Sequence, residues 1–404
     1  MRQTMNKIWL TSSLALGIAF GQSGLYIPLD FPGASSTLAW GINNRGDISG
    51  QYVKDGETHG FKLAGGQFST LDYPGSAYTQ VYGINNRGDV AGLYRNADGV
   101  THGFTWIAGQ FAAVDYPNAV STQCWGIGPA GDTVGAYGIA GVTHGFKLSG
   151  KQFVTLDFPG STATILTGIN PQGEISGIYT LGGLTHGLLV TDGELTSLDV
   201  PGAAAYTNAT GLTARGEIIG RYLAGTVGYG YLMRGSVFST IAFPGATFTG
   251  AAAMNERGEM VGRYQNADGV FHGFLLVPDS PRVALTAGGA AVTHASDYRL
   301  VTAENPAAPG ELLTLFATGL GPTRPGVEPG KPFPSSPLAT VTLPVEVRAN
   351  GTPAEVLAAV GIPGAVGGYQ VNFRLPANTL KGLASLQVSA GMIADTSVKL
   401  IFDS

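Results

Sequence analysis

The chain repeats one short motif at a nearly constant interval. A His-Gly pair occurs five times, and a Tyr-Gly pair stands where a sixth would fall. The steps between positions 59, 102, 144, 186, 229 and 272 are 43, 42, 42, 43 and 43 residues. A period of roughly 20–50 residues is the signature of a repeat architecture, in which each copy is one small structural unit. This interval constrains the fold more than any other feature of the 404 residues.

A single copy predicts four short strands. Segments 38–42, 47–52, 58–63 and 67–72 are rich in strand-forming residues, and turns containing Gly, Asn or Pro separate them. Four strands in a unit of this length are typical of a β-propeller blade. A low charged fraction of 12% and 62 glycines suit an all-β protein with many tight turns. The repeats therefore predict a six-bladed β-propeller over residues 22–278; the alternative is an open β-solenoid.

The repeat columns predict the register within each blade. Residues two apart on a strand share a face, which predicts three pairs across the hairpin of strands two and three: Ile48 with Leu63, Gly50 with Phe61, and Tyr52 with His59. An aromatic ring over a strand glycine stabilises such a position. The glycines of the first strand predict close backbone approach between neighbouring blades. They are Gly41, Gly83, Gly126, Gly168 and Gly211, with Ala253 in the last copy.

Two columns are interpreted as structural. The histidine column is His59, His102, His144, His186 and His272, and the tyrosine column is Tyr52, Tyr94, Tyr137, Tyr179, Tyr222 and Tyr264. A ring of imidazoles could hold a metal, but Tyr229 replaces the histidine in copy five, which keeps an aromatic hydrogen-bonding group and loses a ligand. We therefore expect packing roles, with neither a metal nor another cofactor.

The two ends of the repeat region complement each other. The sixth copy stops after its third strand, at residues 271–277, whereas residues 25–33 align with the fourth strand of the first copy. The N-terminal segment is therefore expected to complete the last blade and close the ring, which removes an open sheet edge.

The second copy carries a recognisable signature. Residues 83–92 read GINNRGDVAG and are followed by His102-Gly103-Phe104. This pattern resembles the bacterial extracellular repeat called HAF, with Gly103 in place of its alanine. The resemblance covers roughly residues 25–278 and implies an extracellular location and a repeat fold, with no common activity attached.

The C-terminal region has a different character. After residue 278 the repeat stops, and residues 305–322 and 369–376 resemble a domain found repeatedly in secreted proteins of Solibacter and other acidobacteria. Alternating segments at 343–348, 369–375, 385–389 and 397–402 predict an Ig-like β-sandwich over 291–404, after a linker at 279–290. Such a domain suggests display, attachment or export.

The N-terminus predicts secretion. Arg2 and Lys7 precede an apolar stretch, and small residues near position 21 provide a cleavage site, so residues 1–21 are interpreted as a signal peptide. An uncleaved anchor is the alternative; after cleavage no membrane span is expected. The single cysteine, Cys124, falls in a column of small apolar residues and is expected to be buried. A net charge of −5 without basic runs makes nucleic acid an unfavourable partner.

An acidic residue follows the first turn of every copy: Asp47, Asp89, Asp132, Glu174, Glu217 and Glu259. We interpret it as a residue that caps the N–H groups of this turn. Calcium binding by a ring of carboxylates is the alternative, but Ca²⁺ prefers several oxygens from one neighbourhood.

The candidate ligand-binding residues lie in loops expected on one face of the ring. They are Tyr78, Gln80, Gln123, Tyr206, Asn208 and Phe248 between blades, and Asn96, Asp98, Asn266 and Asp268 between strands two and three. Exposed aromatic rings with amides and acids suit stacking on sugars and hydrogen bonding to them.

These observations favour a secreted or cell-surface binding protein or scaffold that presents propeller loops to a glycan or a surface protein. One alternative is a secreted carbohydrate-active hydrolase or lyase with two carboxylates at the propeller mouth. The other is a purely structural envelope component. The chain contains no catalytic motif such as a nucleophile elbow, a zinc-binding His-Glu-x-x-His or a phosphate-binding loop, so binding is favoured over catalysis.

Overall fold

The fold was taken from a computed structural model that describes residues 24–203, 205–278, 281–286, 289–321, 323–327, 331–379, 382–390, 393–394 and 398–402. In this part of the chain the regular structure is entirely β. No helix among these residues is long and apolar enough to cross a bilayer. The chain forms two compact units, one holding Tyr26–Val277 and one running from Pro278 onward. The predicted signal peptide, 1–21, lies outside the described residues.

The first unit contains 24 strands, in agreement with the repeat. In chain order they are β1 (Gly24–Leu29), β2 (Ser36–Ile42), β3 (Ile48–Lys54), β4 (Glu57–Ala64), β5 (Gln67–Thr70), β6 (Tyr78–Ile84), β7 (Val90–Arg95), β8 (Thr101–Ile107), β9 (Gln110–Val114), β10 (Ser121–Ile127), β11 (Thr133–Ile139), β12 (Val142–Ser149), β13 (Gln152–Thr155), β14 (Ala163–Ile169), β15 (Ile175–Leu181), β16 (Leu184–Thr191), β17 (Glu194–Leu198), β18 (Thr207–Leu212), β19 (Ile218–Ala224), β20 (Val227–Arg234), β21 (Val237–Ile241), β22 (Phe248–Met254), β23 (Met260–Gln265) and β24 (Phe271–Pro278).

These strands pair as blades. Each copy contributes consecutive strands that hydrogen-bond in sequence order, from β2–β5 in the first to β18–β21 in the fifth. Single parallel pairs join alternate neighbours, such as Thr58 with Tyr78 and Thr143 with Ala163. In the last copy, β22, β23 and β24 are followed by β1, which lies beside β24 as the sequence alignment predicted.

The sixth copy contacts the first. The hydroxyl of Ser36 donates to the carbonyl of Phe271 at 3.1 Å. Asn255 Nδ2 donates to the carbonyl of Asn43 at 3.1 Å. Val261 is buried in the same apolar cluster as residues of β2, β3 and β4. The ends of the repeat array therefore meet through both polar and apolar contacts.

The predicted register is confirmed. Ile48 pairs with Leu63, Gly50 with Phe61 and Tyr52 with His59. A Cβ on Gly50 would lie 2.6 Å from the Phe61 ring, so the ring occupies the space that a side chain would need. The glycines of the first strands also lie where blades approach closely, since a Cβ on Gly83 would lie 3.0 Å from the Cα of Gly126.

The second unit is built on antiparallel strands: β25 (Arg282–Val283), β26 (Leu285–Thr286), β27 (Gly289–Ala290), β28 (Val292–His294), β29 (Leu312–Thr318), β30 (Thr323–Arg324), β31 (Thr340–Val341), β32 (Val345–Ala349), β33 (Thr352–Gly361), β34 (Gly368–Arg374), β35 (Gly382–Ala390), β36 (Ile393–Ala394) and β37 (Val398–Phe402). The long strand β33 pairs with β34 on one side and β32 on the other. One apolar core, which includes Val347, Val371 and Phe373, fills this unit.

The segment interpreted as a linker, 279–290, is partly structured. Arg282 and Val283 pair with β29, and Val283 and Ala290 are buried in the core of the second unit. The sequence analysis predicted a linker here, but apolar residues such as Val283 gain free energy by joining that core.

Candidate functional site

Every first strand of the repeats carries a β-bulge at the same place. In β2 the pairing shifts between Ala39 and Gly41, and the other first strands shift at the equivalent positions. A bulge re-aims the side chain of the extra residue and is over-represented next to functional sites. The residues placed at these bulges are Trp40, Tyr82, Trp125, Thr167, Thr210 and Ala252.

These residues share one cavity. It has a volume of about 130 Å³ and is lined by the bulge residue of each copy and by the two residues that follow it. Six copies can line one cavity only if their first strands surround a common axis. The cavity thus identifies the centre of the blade arrangement.

Three large rings occupy one side of this centre. Tyr82 and Trp125 stack at 4.1 Å between ring centroids, and Trp40 meets them edge-on at 5.2 and 6.2 Å. We call Trp40, Tyr82 and Trp125 the aromatic layer. The opposite side carries only Thr167, Thr210 and Ala252. The centre is therefore asymmetric, although the scaffold around it is regular.

A polar layer lies next to the aromatic layer, at the positions two residues before the bulge residues on the first strands. Its positions are the paired residues of strands one and two, for example Leu38 with Gln51 and Asn208 with Arg221. Such paired residues project to the same face of the sheet. The polar members form what we call the amide–arginine layer: Gln51, Gln80, Gln123, Asn208, Arg221 and Arg263.

The rings orient the amides. Trp40 Nε1 donates to Gln51 Oε1 at 3.2 Å, and Trp125 Nε1 donates to Gln123 Oε1 at 3.2 Å. Tyr82 also donates its hydroxyl to the Oε1 of Gln80, at 2.7 Å. Because an indole N–H can only donate, each glutamine turns its oxygen to the ring and its NH₂ group elsewhere.

The two arginines lie close to each other and to aromatic rings. The Arg263 guanidinium stacks over Trp40 at 4.4 Å, and that of Arg221 over Tyr206 at 4.7 Å. Phe248 is within 6 Å of both guanidiniums, at 5.9 and 5.8 Å. Burial, together with the charge of Arg221, lowers the pKa of Arg263 to about 9.

The loop placement of the candidate residues between blades was wrong. Tyr78 and Gln80 lie in β6, Gln123 in β10, Asn208 in β18 and Phe248 in β22. Tyr206 immediately precedes β18 and forms a single parallel bridge with Thr185. The first strands begin about two residues earlier than predicted, because hydrogen bonds to the neighbouring strand continue to their ends. Gln80, Gln123, Tyr206, Asn208 and Phe248 nevertheless lie at or beside the amide–arginine layer.

The candidates between strands two and three lie in turns, as predicted, and contact local groups. Asp98 accepts the N–H of Val100 and Asp268 that of Val270. Asn96 Nδ2 lies 2.8 Å from His102 Nε2. The Asn266 carbonyl accepts the N–H of Gly269, which closes the turn. No contact of the described residues joins these four to the aromatic layer.

The histidines lie in side-chain stacks. His59 stacks on Tyr52, which stacks on Phe31, and the other four histidines have equivalent tyrosine neighbours. Each Nδ1 also bonds the aspartate of the turn Asp-Phe/Tyr/Val-Pro-Gly, or Asp-Tyr-Pro-Asn in the case of Asp115, at 2.7–3.1 Å: His59–Asp72, His102–Asp115, His144–Asp157, His186–Asp199 and His272–Asp30. Within the described residues, no group of three His, Cys, Asp or Glu side chains could hold a metal.

The sequence analysis did not predict the aspartate partner of the histidines. A signal was present: the fifth copy loses both members together, with Tyr229 for the histidine and Ala242 for the aspartate. Paired loss at a fixed spacing of thirteen residues indicates direct contact.

The acidic column has a different role from the predicted one. Asn43, rather than Asp47, caps the turn, since Asn43 Oδ1 accepts the N–H groups of Arg45 and Asp47. The Asp47 carboxylate instead accepts from Asn43 Nδ2 and from Arg45. Burial alone would raise the pKa of Asp47, but these bonds and the Arg45 charge hold it below its usual value. An amide reaches the backbone N–H groups and still has an NH₂ group for the carboxylate.

Cys124 is fully buried, as predicted, and burial raises the pKa of its thiol well above its usual range. Its side chain packs beside Gly103, because a Cβ there would lie 2.7 Å from Cys124 Sγ. The thiol is thus part of the core and takes no part in the site.

Sequence reasoning missed the aromatic layer and three members of the amide–arginine layer, Gln51, Arg221 and Arg263. They lie on strands, whereas the sequence analysis looked for ligand-binding residues in loops. The signal was variation within a column: the second-strand position reads Gln51, Leu93, Ala136, Ile178, Arg221 and Arg263, whereas its neighbours keep one residue type.

Antiparallel blades around a common central cavity define the β-propeller class. No protein-family model matches the chain, and neither does any curated protein. Among solved structures, it is similar to a streptogramin B lyase, with 15% identity, a TM-score of 0.37 and coverage of 62% of this chain and 86% of the lyase.

Two further solved structures show the same level of similarity. A putative TolB from Agrobacterium tumefaciens has 12% identity and a TM-score of 0.42, over 63% of this chain and 90% of that protein. A mutant of Aleuria aurantia lectin in complex with alpha-methyl-L-fucoside has 13% identity and a TM-score of 0.41, over 61% and 93%. With TM-scores below 0.5, these likenesses carry no argument about what this chain binds.

Proposed function

We propose that the chain is a secreted or cell-surface glycan-binding protein. In this proposal the blades form one closed six-bladed propeller, and the second unit is an Ig-like β-sandwich that attaches or displays it. Contacts between the last and first copies support closure. The N-terminal segment and the resemblance to HAF-type extracellular repeats support the location.

One observation carries the binding role: the aromatic layer orients three amides beside it. The oxygens of Gln51, Gln80 and Gln123 are engaged by ring N–H or O–H groups. Their NH₂ groups make no hydrogen bond to another side chain or backbone group in the described part of the chain, so they can donate to ligand hydroxyls. The half-buried rings of Trp40 and Trp125 beside such fixed donors suit a sugar, which has both apolar faces and hydroxyl groups.

The hydrolase alternative has no comparable support at this place. Among the described residues of the cavity, the aromatic layer and the amide–arginine layer, none is Asp or Glu. The two carboxylates that glycoside hydrolysis uses therefore have no counterpart here.

The test is binding of the purified chain to a panel of neutral and acidic oligosaccharides, followed by thermal unfolding and tryptophan emission. A ligand that binds only the folded form raises the unfolding midpoint. Trp40→Phe and Trp125→Phe should each weaken binding by about tenfold, since each removes ring area and the donor that orients a glutamine.

Trp106→Phe is the matched control, because Trp106 lies on β8 next to Lys62 and outside the aromatic layer. It should leave the affinity unchanged. Binding that is lost equally in all three variants, or absent across the panel, would contradict the proposal. Cell fractionation tests the location, and recovery of the chain from the cytoplasm would contradict secretion.

A further inference from the structure

The arginines of the amide–arginine layer differ from the other arginines of the repeats. Five of those pair with carboxylates at 2.5–3.4 Å: Arg45, Arg87, Arg215, Arg234 and Arg257. Arg95 is exposed to solvent. By contrast, Arg221 and Arg263 have no carboxylate within 4 Å among the described residues. Their charges therefore lack the compensation that the fold provides for the other arginines.

Leaving these charges without a counterion is costly because they are largely out of water. Only 9% of Arg263 is exposed, and its guanidinium makes no hydrogen bond to a described residue. The Nε of Arg221 is buried and also lacks a hydrogen-bond partner there, although Arg221 NH2 bonds the Tyr206 hydroxyl at 2.5 Å. Burial of an unpaired charge is strongly unfavourable, and two neighbouring like charges increase that cost.

The surroundings of the arginines also contain an unpaired acceptor. Gly250 pairs with Arg263, and the Phe248 ring covers it, since a Cβ on Gly250 would lie 3.3 Å from that ring. The Oδ1 of Asn208, which pairs with Arg221, is buried without a partner among the described residues. An unpaired acceptor beside unpaired donors matches a group that carries both negative charge and hydroxyls.

We propose that Arg221 and Arg263 bind an anionic group, a carboxylate or a sulfate, of the glycan held at the aromatic layer. This rests on the proposed function and specifies its ligand class as acidic oligosaccharides. The planar guanidinium forms two parallel hydrogen bonds with such groups. A nearby hydroxyl of the same sugar would donate to Asn208 Oδ1.

The experiment compares ligands that differ only in charge. Oligogalacturonate and its methyl ester share one sugar backbone, and chondroitin sulfate oligosaccharides provide the sulfate form. Binding is measured by titration calorimetry and by tryptophan emission, since Trp40 lies 4.4 Å from the Arg263 guanidinium. We expect at least one acidic oligosaccharide to bind, and removal of its charge to weaken binding by about 10- to 100-fold, as for loss of charged hydrogen bonds.

Arg221→Met and Arg263→Met should reduce affinity for the acidic ligand by a similar factor and should reduce affinity for the neutral ester much less. Arg95→Met is the control, because Arg95 is exposed and stacks on Tyr78 instead. If a variant fails to fold, the comparison of acid and ester on the unmodified chain still decides the question.

The outcomes separate this proposal from the function on which it rests. Equal binding of acid and ester, unaffected by the arginine variants, would overturn the anion site and leave glycan binding intact. Binding of free galacturonate or sulfate alone, lost in both arginine variants, would support the anion site and overturn glycan recognition. Absence of binding by every oligosaccharide and free anion would overturn both.

Discussion

The turn after the first strand offers the sharpest test of how the blades are held together. Asn43 makes four hydrogen bonds there: its Nδ2 donates to Asp47 and to the carbonyl of Asn85, and its Oδ1 accepts two backbone N–H groups. Asn85, Asn170 and Asn255 repeat this pattern. One of the four bonds crosses to the next blade each time. Copy three has Gly128 at this place and therefore lacks all four.

Gly128→Asn should restore these bonds. A Cβ at Gly128 would meet Ile169 at 3.5 Å and the Asp132 carbonyl at 3.7 Å, which are ordinary contacts, and the backbone is not left-handed. Each hydrogen bond contributes about 0.5–1.5 kcal/mol net. After the cost of ordering the side chain, we expect the free energy of unfolding to rise by about 1–3 kcal/mol. The Tm of this unit should rise by about 2–4 °C per kcal/mol.

Gly128→Ala is the control, because it shares the loss of glycine freedom in the unfolded chain and forms no side-chain hydrogen bond. That entropic effect alone raises the free energy of unfolding by about 0.4–1 kcal/mol. Differential scanning calorimetry of both variants isolates the hydrogen bonds as the difference between them. The reciprocal change Asn85→Ala should lower stability by a similar amount. If the Asn and Ala variants melt together, the amide bonds do not stabilise the ring and the reasoning is refuted.

Two further predictions concern packing and pH. Gly135→Ala would press a Cβ against the carbonyl oxygen of Gln123 and should lower the free energy of unfolding by about 1–3 kcal/mol or more in calorimetry, whereas Gly128→Ala in the same copy should raise it by about 0.4–1 kcal/mol. In the second unit, burial alone would lower the pKa of His294, but its bonds to Glu311 and to the Asn305 carbonyl raise it above 6.5. A group whose pKa is raised in the folded state stabilises the fold at pH values below its unfolded-state pKa. This stabilisation is lost as the pH rises through the folded-state pKa. The Tm of this unit should therefore fall as pH rises above about 6.5, and a flat profile, or one unchanged in Glu311→Gln, would contradict the pairing.

The scaffold was predictable because its requirements repeat. Every copy needs a glycine at the position of Gly50, which the Phe61 ring covers. The glycine column can therefore be recognised in a single sequence. The pairing of Tyr52 with His59 follows from the period of two once the hairpin is recognised. The buried state of Cys124 follows from the small apolar residues in its column.

The site was not predictable in the same way, because its residues do not repeat. Trp40 and Thr167 occupy equivalent bulges, and Gln51 and Ile178 occupy equivalent positions on the second strands. A search for variable residues near the start of the first strands could find Gln80 and Asn208, but not Tyr82, which lies at a bulge, or Arg221, which lies on a second strand. The site residues come close together only because the blades bring residues of distant copies to one axis.

Variation at the axis has a physical cause and a functional consequence. Side chains between blades must fit two neighbours, so the interior of the protein accepts few substitutions. A bulge residue faces the central cavity instead, where Trp40 or Ala252 can be accommodated without displacing a blade. Under the proposed function, this arrangement of blades would separate stability from recognition. With aromatic rings from copies one to three and arginines from copies five and six, the axis has an apolar side and a cationic side. A ligand held as proposed lies across the axis, with a sugar face on Trp125 and its anionic group at Arg221.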